Sequence, residues 1–242
     1  MASVFPESQR VHSEAVADTK RLMRIARTAA LATLDMAQGA PLTTLVGVAS
    51  DFEGAPLFLM STLSRHTRNL AHDPRASLLL AETPSRGDPL NHPRVTLSGR
   101  IERCDSPRAK PRYLQRNPKA KLYANFADFA IFRLAIESVH FNGGFGRAGA
   151  LAPADILTSR EGEALLAEAE PRLIEEVNAM GEQATARLAG RKMSARQIWR
   201  AVGLDAEGLD LAAGSRAARV QFRAPAHDPA AWRAQLEERL TG

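Results

Sequence analysis

Apolar and polar residues change their spacing several times along this chain. From Val11 to Thr28 the period is helical. Val11, Ala15, Leu22, Ile25 and Ala26 form a stripe, with Glu14, Asp18, Lys20, Arg21 and Arg24 on the polar face. This predicts an amphipathic helix packed on the outside of the strands after it. The period then falls towards two. Ala29–Leu34, Pro41–Ala49, Pro56–Met60, Ala76–Ala81 and Arg94–Arg103 read as strands, with turns at 35–39 and 51–54. The clearest alternation is in Arg94–Arg103, where Val95, Leu97, Gly99 and Ile101 share one face. Residues 82–93 are polar and rich in proline and glycine, and read as a loop. Short antiparallel strands at this spacing predict a barrel or sandwich, not a doubly wound sheet.

Helical spacing returns at Pro107–Arg116, closed by Asn117-Pro118, and again over Lys119–Phe129, with Leu122, Tyr123, Phe126 and Phe129 on one side. Ile131–Phe141 reads as a long strand or a strand pair that ends in a glycine-rich turn at 142–148. After Ile156 the composition shifts to Glu, Ala and Leu. This predicts helix over Ser159–Leu188, with Pro171 starting a second helix, and a further helix over Met193–Val202. Gly203–Gly214 is turn-rich with one short strand, Ala217–Phe222 is a strand, and Asp228-Pro229 opens a last helix through Leu240. The expected organisation is a first domain over 1–157 and a small α/β domain over 158–242.

Composition adds few constraints. The 242 residues are 45% hydrophobic and 24% charged, and no apolar run approaches the length of a bilayer span. The first residues lack a basic stretch followed by an apolar one, so the expected compartment is the cytoplasm. A single cysteine, Cys104, excludes an internal disulfide and any Cys-x-x-Cys site. The formal charge of +5 raises nucleic acid as a partner. The basic residues read as spread among acids, and aromatics make up only 5% of the chain, too few for stacking platforms. An anionic small molecule is the better fit, and neither nucleic acid nor membrane is expected.

The usual catalytic signatures are missing. None of the six histidines forms an i, i+4 pair with a nearby glutamate, so no metal site is expected, and there is neither a nucleophile elbow nor a Walker pattern. The densest polar stretch is Ser61-Thr62-Leu63-Ser64-Arg65-His66-Thr67-Arg68-Asn69-Leu70, between a strand and a short helix over Arg68–His72. A helix start flanked by hydroxyls and cations suits an anion, because free N–H groups and the positive dipole end face the ligand. A capped helix with solvated basic residues explains the same stretch. Thr43-Thr44 and Arg94, on other strands, add hydroxyls and a cation. Gly143-Gly144-Phe145-Gly146 reads locally as a turn.

Taken together, GAPLTTLVGVASDFEGAPLFLMSTLSRHTRNLAHDPRASLLLAE, DPLNHPRVTLSGRIER and GGFGRAGAL resemble the pyridoxamine 5'-phosphate oxidase-like FMN-binding split barrels, above all their haem-utilisation oxygenase branch. The resemblance is strong over residues 20–155. The tail, GLDAEGLDLAAGSRAARVQF, resembles the small domain that follows the barrel in that branch. The fold implied is α+β: a six-stranded antiparallel split barrel with flanking helices, followed by a small α/β domain. The resemblance also implies a homodimer with FMN between the subunits and oxidoreductase chemistry on a small-molecule substrate, with haem binding or breakdown as the alternative. A flavin or ligand-binding protein without turnover is a further alternative. The phosphate pair maps onto Arg65 and His66, with Ser61, Thr67 and Asn69 in the same loop. Thr43, Thr44, Val46 and Arg94 map to the ring, and Gly144, Phe145 and Gly146 to the turn that closes over it. The chain departs from its haem-degrading relatives in two places. No histidine follows His227, and of an Asn-x-Asp-His patch only Asn178 remains.

Overall fold

Alternating burial between Thr28 and Asn142 resolves into one curled antiparallel sheet. The computed structural model describes residues 7–82 and 87–241, so the first six residues and 83–86 of the expected loop lie outside it. Helix α1 (Glu7–Ile25) precedes strands β1 (Thr28–Leu34), β2 (Pro41–Gly47), β3 (Ala49–Ser50) and β4 (Pro56–Ser61). Helix α2 (Arg65–His72) leads to β5 (Arg75–Ala81) and β6 (Arg94–Arg103). Then come α3 (Ala109–Arg116), the long strand β7 (Phe129–Asn142), β8 (Ala148–Leu151) and the short α4 (Pro153–Ile156). The sheet order is β2-β1-β5-β6-β7-β4-β3, with β8 added on β7. Its two edges, β2 and β3, are separated only by Val48. One bent stretch of chain therefore closes the curl, and with β2–β3 taken as one strand the barrel has six. Leu31, Phe58, Leu78, Leu97 and Leu134 fill the interior, and α1 adds Leu22 and Met23 to the same core.

The tail builds a second core. Helices α5 (Glu163–Ala179) and α6 (Glu182–Leu188) precede β9 (Arg200–Asp205), β10 (Gly208–Ala213) and β11 (Arg216–Gln221), and α7 (Pro229–Thr241) closes the chain. The three strands pair antiparallel in the order β11-β10-β9. Leu166, Leu173, Leu204, Leu209, Leu211 and Trp232 pack together there, joined by Phe52 from the barrel side.

Where the two cores meet, charge is buried. Asp205 accepts from Arg219 Nη2 at 2.7 Å, and its other oxygen lies 3.1 Å from Arg24 Nη2 of α1. Arg219 Nη1 also reaches Asp210 at 3.1 Å. Arg112 of α3 donates to Glu170 of α5 and, at 3.0 Å, to the Leu204 carbonyl. Arg116 Nη2 donates to the Arg24 carbonyl at 2.7 Å. Burial opposes the charge on Asp205, yet Arg219 and Arg24 hold its carboxyl below the usual range. Burial, as the main cause, pushes Arg116 down to about 10. Both acids of the stretch GLDAEGLD, Asp205 and Asp210, are thus committed to this seam.

Several expectations are corrected. Arg24, assigned to the polar face of α1, is buried, whereas Val11 of the apolar stripe is exposed. The helix expected over Lys119–Phe129 is one 3-10 turn, Pro118–Leu122, followed by turns. Leu122 and Phe126 stay exposed, and the part of this stretch that reaches a core is Ala120, Ala124 and Phe129, a small face to reward helix propagation. Pro171 lies inside α5 and does not begin a new helix; Leu166 before it and Leu173 after it pack into one core, and the break falls at Gly181. Residues 193–199 are irregular, and the chain then enters β9 where a helix was expected. Pairing of Ala201 and Leu204 with β10 overrides a helical propensity.

Candidate functional site

Strand β4 ends at Ser61, and a turn through Thr62 to Ser64 leads into α2, which starts at Arg65, three residues earlier than expected. Ser64 is the N-cap residue but its hydroxyl does not cap. It donates to the Ser61 carbonyl at 2.8 Å and meets Thr67 Oγ1 at 2.7 Å. The first turn of α2 carries no acid.

The loop's cations and hydroxyls are largely committed. Arg65 lays Nε and Nη2 on Asp35 Oδ2, at 3.1 and 2.7 Å. That contact, with two backbone N–H groups, holds the Asp35 carboxyl below its usual value. Ser61 donates to Asp128 Oδ2 at 2.5 Å and accepts from Leu63 N–H at 3.1 Å. Thr67 is buried, and Asn69 is buried completely. Asn69 donates to Thr33 Oγ1 at 3.1 Å and accepts from Met36 N–H at 3.3 Å, which ties α2 to β1 and the turn after it. Local sequence patterns do not mark Asp35 and Asp128 as part of this site, because they lie 30 and 67 residues from their partners.

His66 differs from its neighbours. It is half-buried, its Nδ1 lies 3.2 Å from Thr44 Oγ1, and burial pushes its pKa below the usual value. In the tautomer whose Nδ1–H donates to Thr44, Nε2 presents a free lone pair. Thr43, next along β2, faces the other way and is exposed, while Val46 is part of the barrel core.

The remaining candidates lie elsewhere. Arg94 pairs in register with Asn142, whereas Ser61 pairs with Phe129, so the two sit at opposite ends of the 14-residue β7. That is about 40 Å of strand along a curved path. Arg94 Nη1 donates to the Leu90 carbonyl at 2.9 Å. Nearby, the β7–β8 turn places Gly144 and Gly146 at φ +107° and +74°, with Phe145 fully exposed. A side chain on Gly144 would meet the Asn91 carbonyl at 3.1 Å. Within one chain, then, Thr44, Ser61, Arg65, His66 and Thr67 come together, and Arg94 and Gly144–Gly146 form a separate group.

Residues 10–158 match the family described as CREG, beta-barrel. The chain belongs to the CREG beta-barrel family. Within it, the resemblance to pyridoxamine 5'-phosphate oxidase-like split barrels with haem-utilisation relatives is borne out. Over 114 residues this CREG-family chain is 32% identical to the chloroplastic haem oxygenase HOZ of Arabidopsis thaliana, covering 46% of the chain and 34% of HOZ. It thus spans about a third of the length of that relative. A protein of unknown function from Agrobacterium tumefaciens shares 36% identity and superposes at a TM-score of 0.82, over 93% of this chain and 94% of its own. A haem-binding protein from Mycobacterium smegmatis shares 26% identity at a TM-score of 0.56, over 98% of both chains.

Two residues singled out by that resemblance have structural partners here. Asn178 accepts from Ala201 N–H at 2.8 Å and donates to the Ala201 carbonyl at 3.2 Å, clamping α5 to β9. His227 Nδ1 lies 3.2 Å from the Glu161 carbonyl, in the loop before α7.

Proposed function

We propose that this protein binds haem on the Thr44–His66 face, as a homodimer, and takes part in haem handling that extends to oxidative breakdown. The observation that carries the reading is the placement of His66, half-buried with Nδ1 3.2 Å from Thr44 Oγ1 and its pKa lowered by burial. With Nδ1–H donating to Thr44, such an imidazole would have the arrangement of a metal-ligating histidine. A phosphate-binding cation has the opposite requirement, a full charge. Arg65 is already engaged by Asp35, and Asp128 places a second carboxylate on the Ser61 hydroxyl. The similarity to HOZ and to the mycobacterial haem-binding protein supports the same reading. Haem iron would bring oxygen and electron-transfer chemistry; His66 would hold the iron, and Thr44 would fix the ring that holds it.

The dimer is proposed from exposed apolar groups and from the split between the two site clusters. Leu45, Leu63, Leu122, Phe126 and Phe145 are more than half exposed, apolar area that a second copy could cover. A second copy offers the means of bringing one chain's Arg94–Phe145 group to the other's His66 loop. FMN is the second reading, favoured by the acid-free first turn of α2.

Titration with haemin, followed at the Soret band, tests the main reading. The protein should saturate near one haem per chain, and His66→Ala should shift the band and weaken binding at least tenfold. No Soret change in the parent protein, or an identical band in His66→Ala, overturns it. Retention of FMN through gel filtration by a protein that ignores haemin would establish the second.

A further inference from the structure

The net charge of this protein has an address. There are 32 lysines and arginines against 27 acids in the whole chain. Five of those cations, Arg187, Arg191, Lys192, Arg196 and Arg200, fall within residues 187–200, which contain no acid. The rest of the chain balances at 27 of each sign, so this stretch carries the entire excess of +5. The expectation of evenly spread basic residues fails here.

The fold concentrates the charge further. Residues 191–199 form an irregular loop between α6 and β9, pinned by buried Trp199 and by Arg191 N–H bonding to the Ala186 carbonyl at 2.9 Å. Arg200 and Arg216 pair with Ala212 and Ala213 of β10, so both lie at one end of the three-stranded sheet. Arg216 Nη1 reaches Gln197 Oε1 of the loop at 3.3 Å, adding a sixth cation. All six are exposed. Of the other exposed arginines on this domain, Arg160 meets Glu163 and Arg172 meets Glu176, both at 2.8 Å, while Arg223 and Arg239 have no carboxylate partner among the described residues. None of the six has a carboxylate partner among the described residues. Between them, Met193 and Ile198 are 61% and 42% exposed.

We propose that this loop is a docking surface for an anionic lipid bilayer. Cations with interleaved apolar side chains match a membrane surface, where headgroups take the charge and the interface takes the methionine and isoleucine. A nucleic acid would use the cations, but the one aromatic of the loop, Trp199, is buried and offers no stacking face. Such docking is peripheral. It needs no spanning segment, and no described helix is long and apolar enough to provide one.

Co-flotation of the full chain with phosphatidylcholine vesicles, with and without about a third phosphatidylglycerol, tests the proposal. Each basic residue near an anionic surface raises partitioning about fivefold. R191Q/K192Q/R196Q should therefore lose about a hundredfold, and 0.5 M salt should release the parent protein. M193S/I198S should weaken binding several-fold while leaving the salt dependence intact. Thermal melts of both variants confirm folding. Equal binding to neutral vesicles, unaltered binding by the triple variant, or binding to duplex DNA or an acidic protein without vesicle association would overturn the proposal.

Discussion

Replacing Asp205 with asparagine should destabilise this protein more than any surface change, and the geometry sets the size. The carboxylate is fully buried between Arg219 at 2.7 Å and Arg24 at 3.1 Å. An amide keeps the volume and removes the charge, leaving two buried guanidiniums to share what remains. Arg219 retains Asp210, and Arg24 retains the carbonyls of Asp51 and Phe52, both at 2.7 Å. Removing one partner of a buried pair costs about 3–5 kcal/mol, since the opposing charge stays desolvated. For a chain of this size that corresponds to a fall in Tm of about 6–20 °C. Asp210→Asn should cost less, because one guanidinium nitrogen meets that acid. Differential scanning calorimetry with urea titration measures both. A drop below about 1 kcal/mol for Asp205→Asn would refute the reasoning and show that water or rearrangement stabilises the two arginines.

The same carboxylate sets an acid limit. Its folded pKa is depressed to about 2, so its contribution is present above the unfolded value near 4 and is lost as pH falls from there to about 2; Asp205→Asn should flatten that part of the stability–pH curve. Gly99 lies at the bulge between β6 and β7, and an added Cβ would come within 1.9 Å of the Ala135 carbonyl. Gly99→Ala should cost at least about 3 kcal/mol by urea unfolding. If the proposed dimer uses the surface around Leu63 and Phe126, L63D/F126D should lower the mass in analytical ultracentrifugation to that of a monomer with little change in Tm; an unchanged mass would exclude that surface as the interface.

The sequence alone determined the elements whose signal is local. Alternation marks β6 at Arg94–Arg103 residue for residue, because one face of that strand is core and the other is not. The Ser-rich stretch after β4 announced a helix start, and the shift to Glu, Ala and Leu after Ile156 announced a tail domain. Tertiary structure decided the rest. Met193–Val202 reads helical until β10 offers its last residues a partner, and Lys119–Phe129 reads helical although its Leu122 and Phe126 find no core. The site shows the same division. Its loop was legible as a chemical cluster, but its electrostatics depend on Asp35, Asp128 and Thr44, which come from distant strands and turns. An anion cradle and a neutral histidine face share one local sequence. What bears on the choice between them, Asp35, Asp128 and Thr44, is brought beside the loop only by the folded barrel.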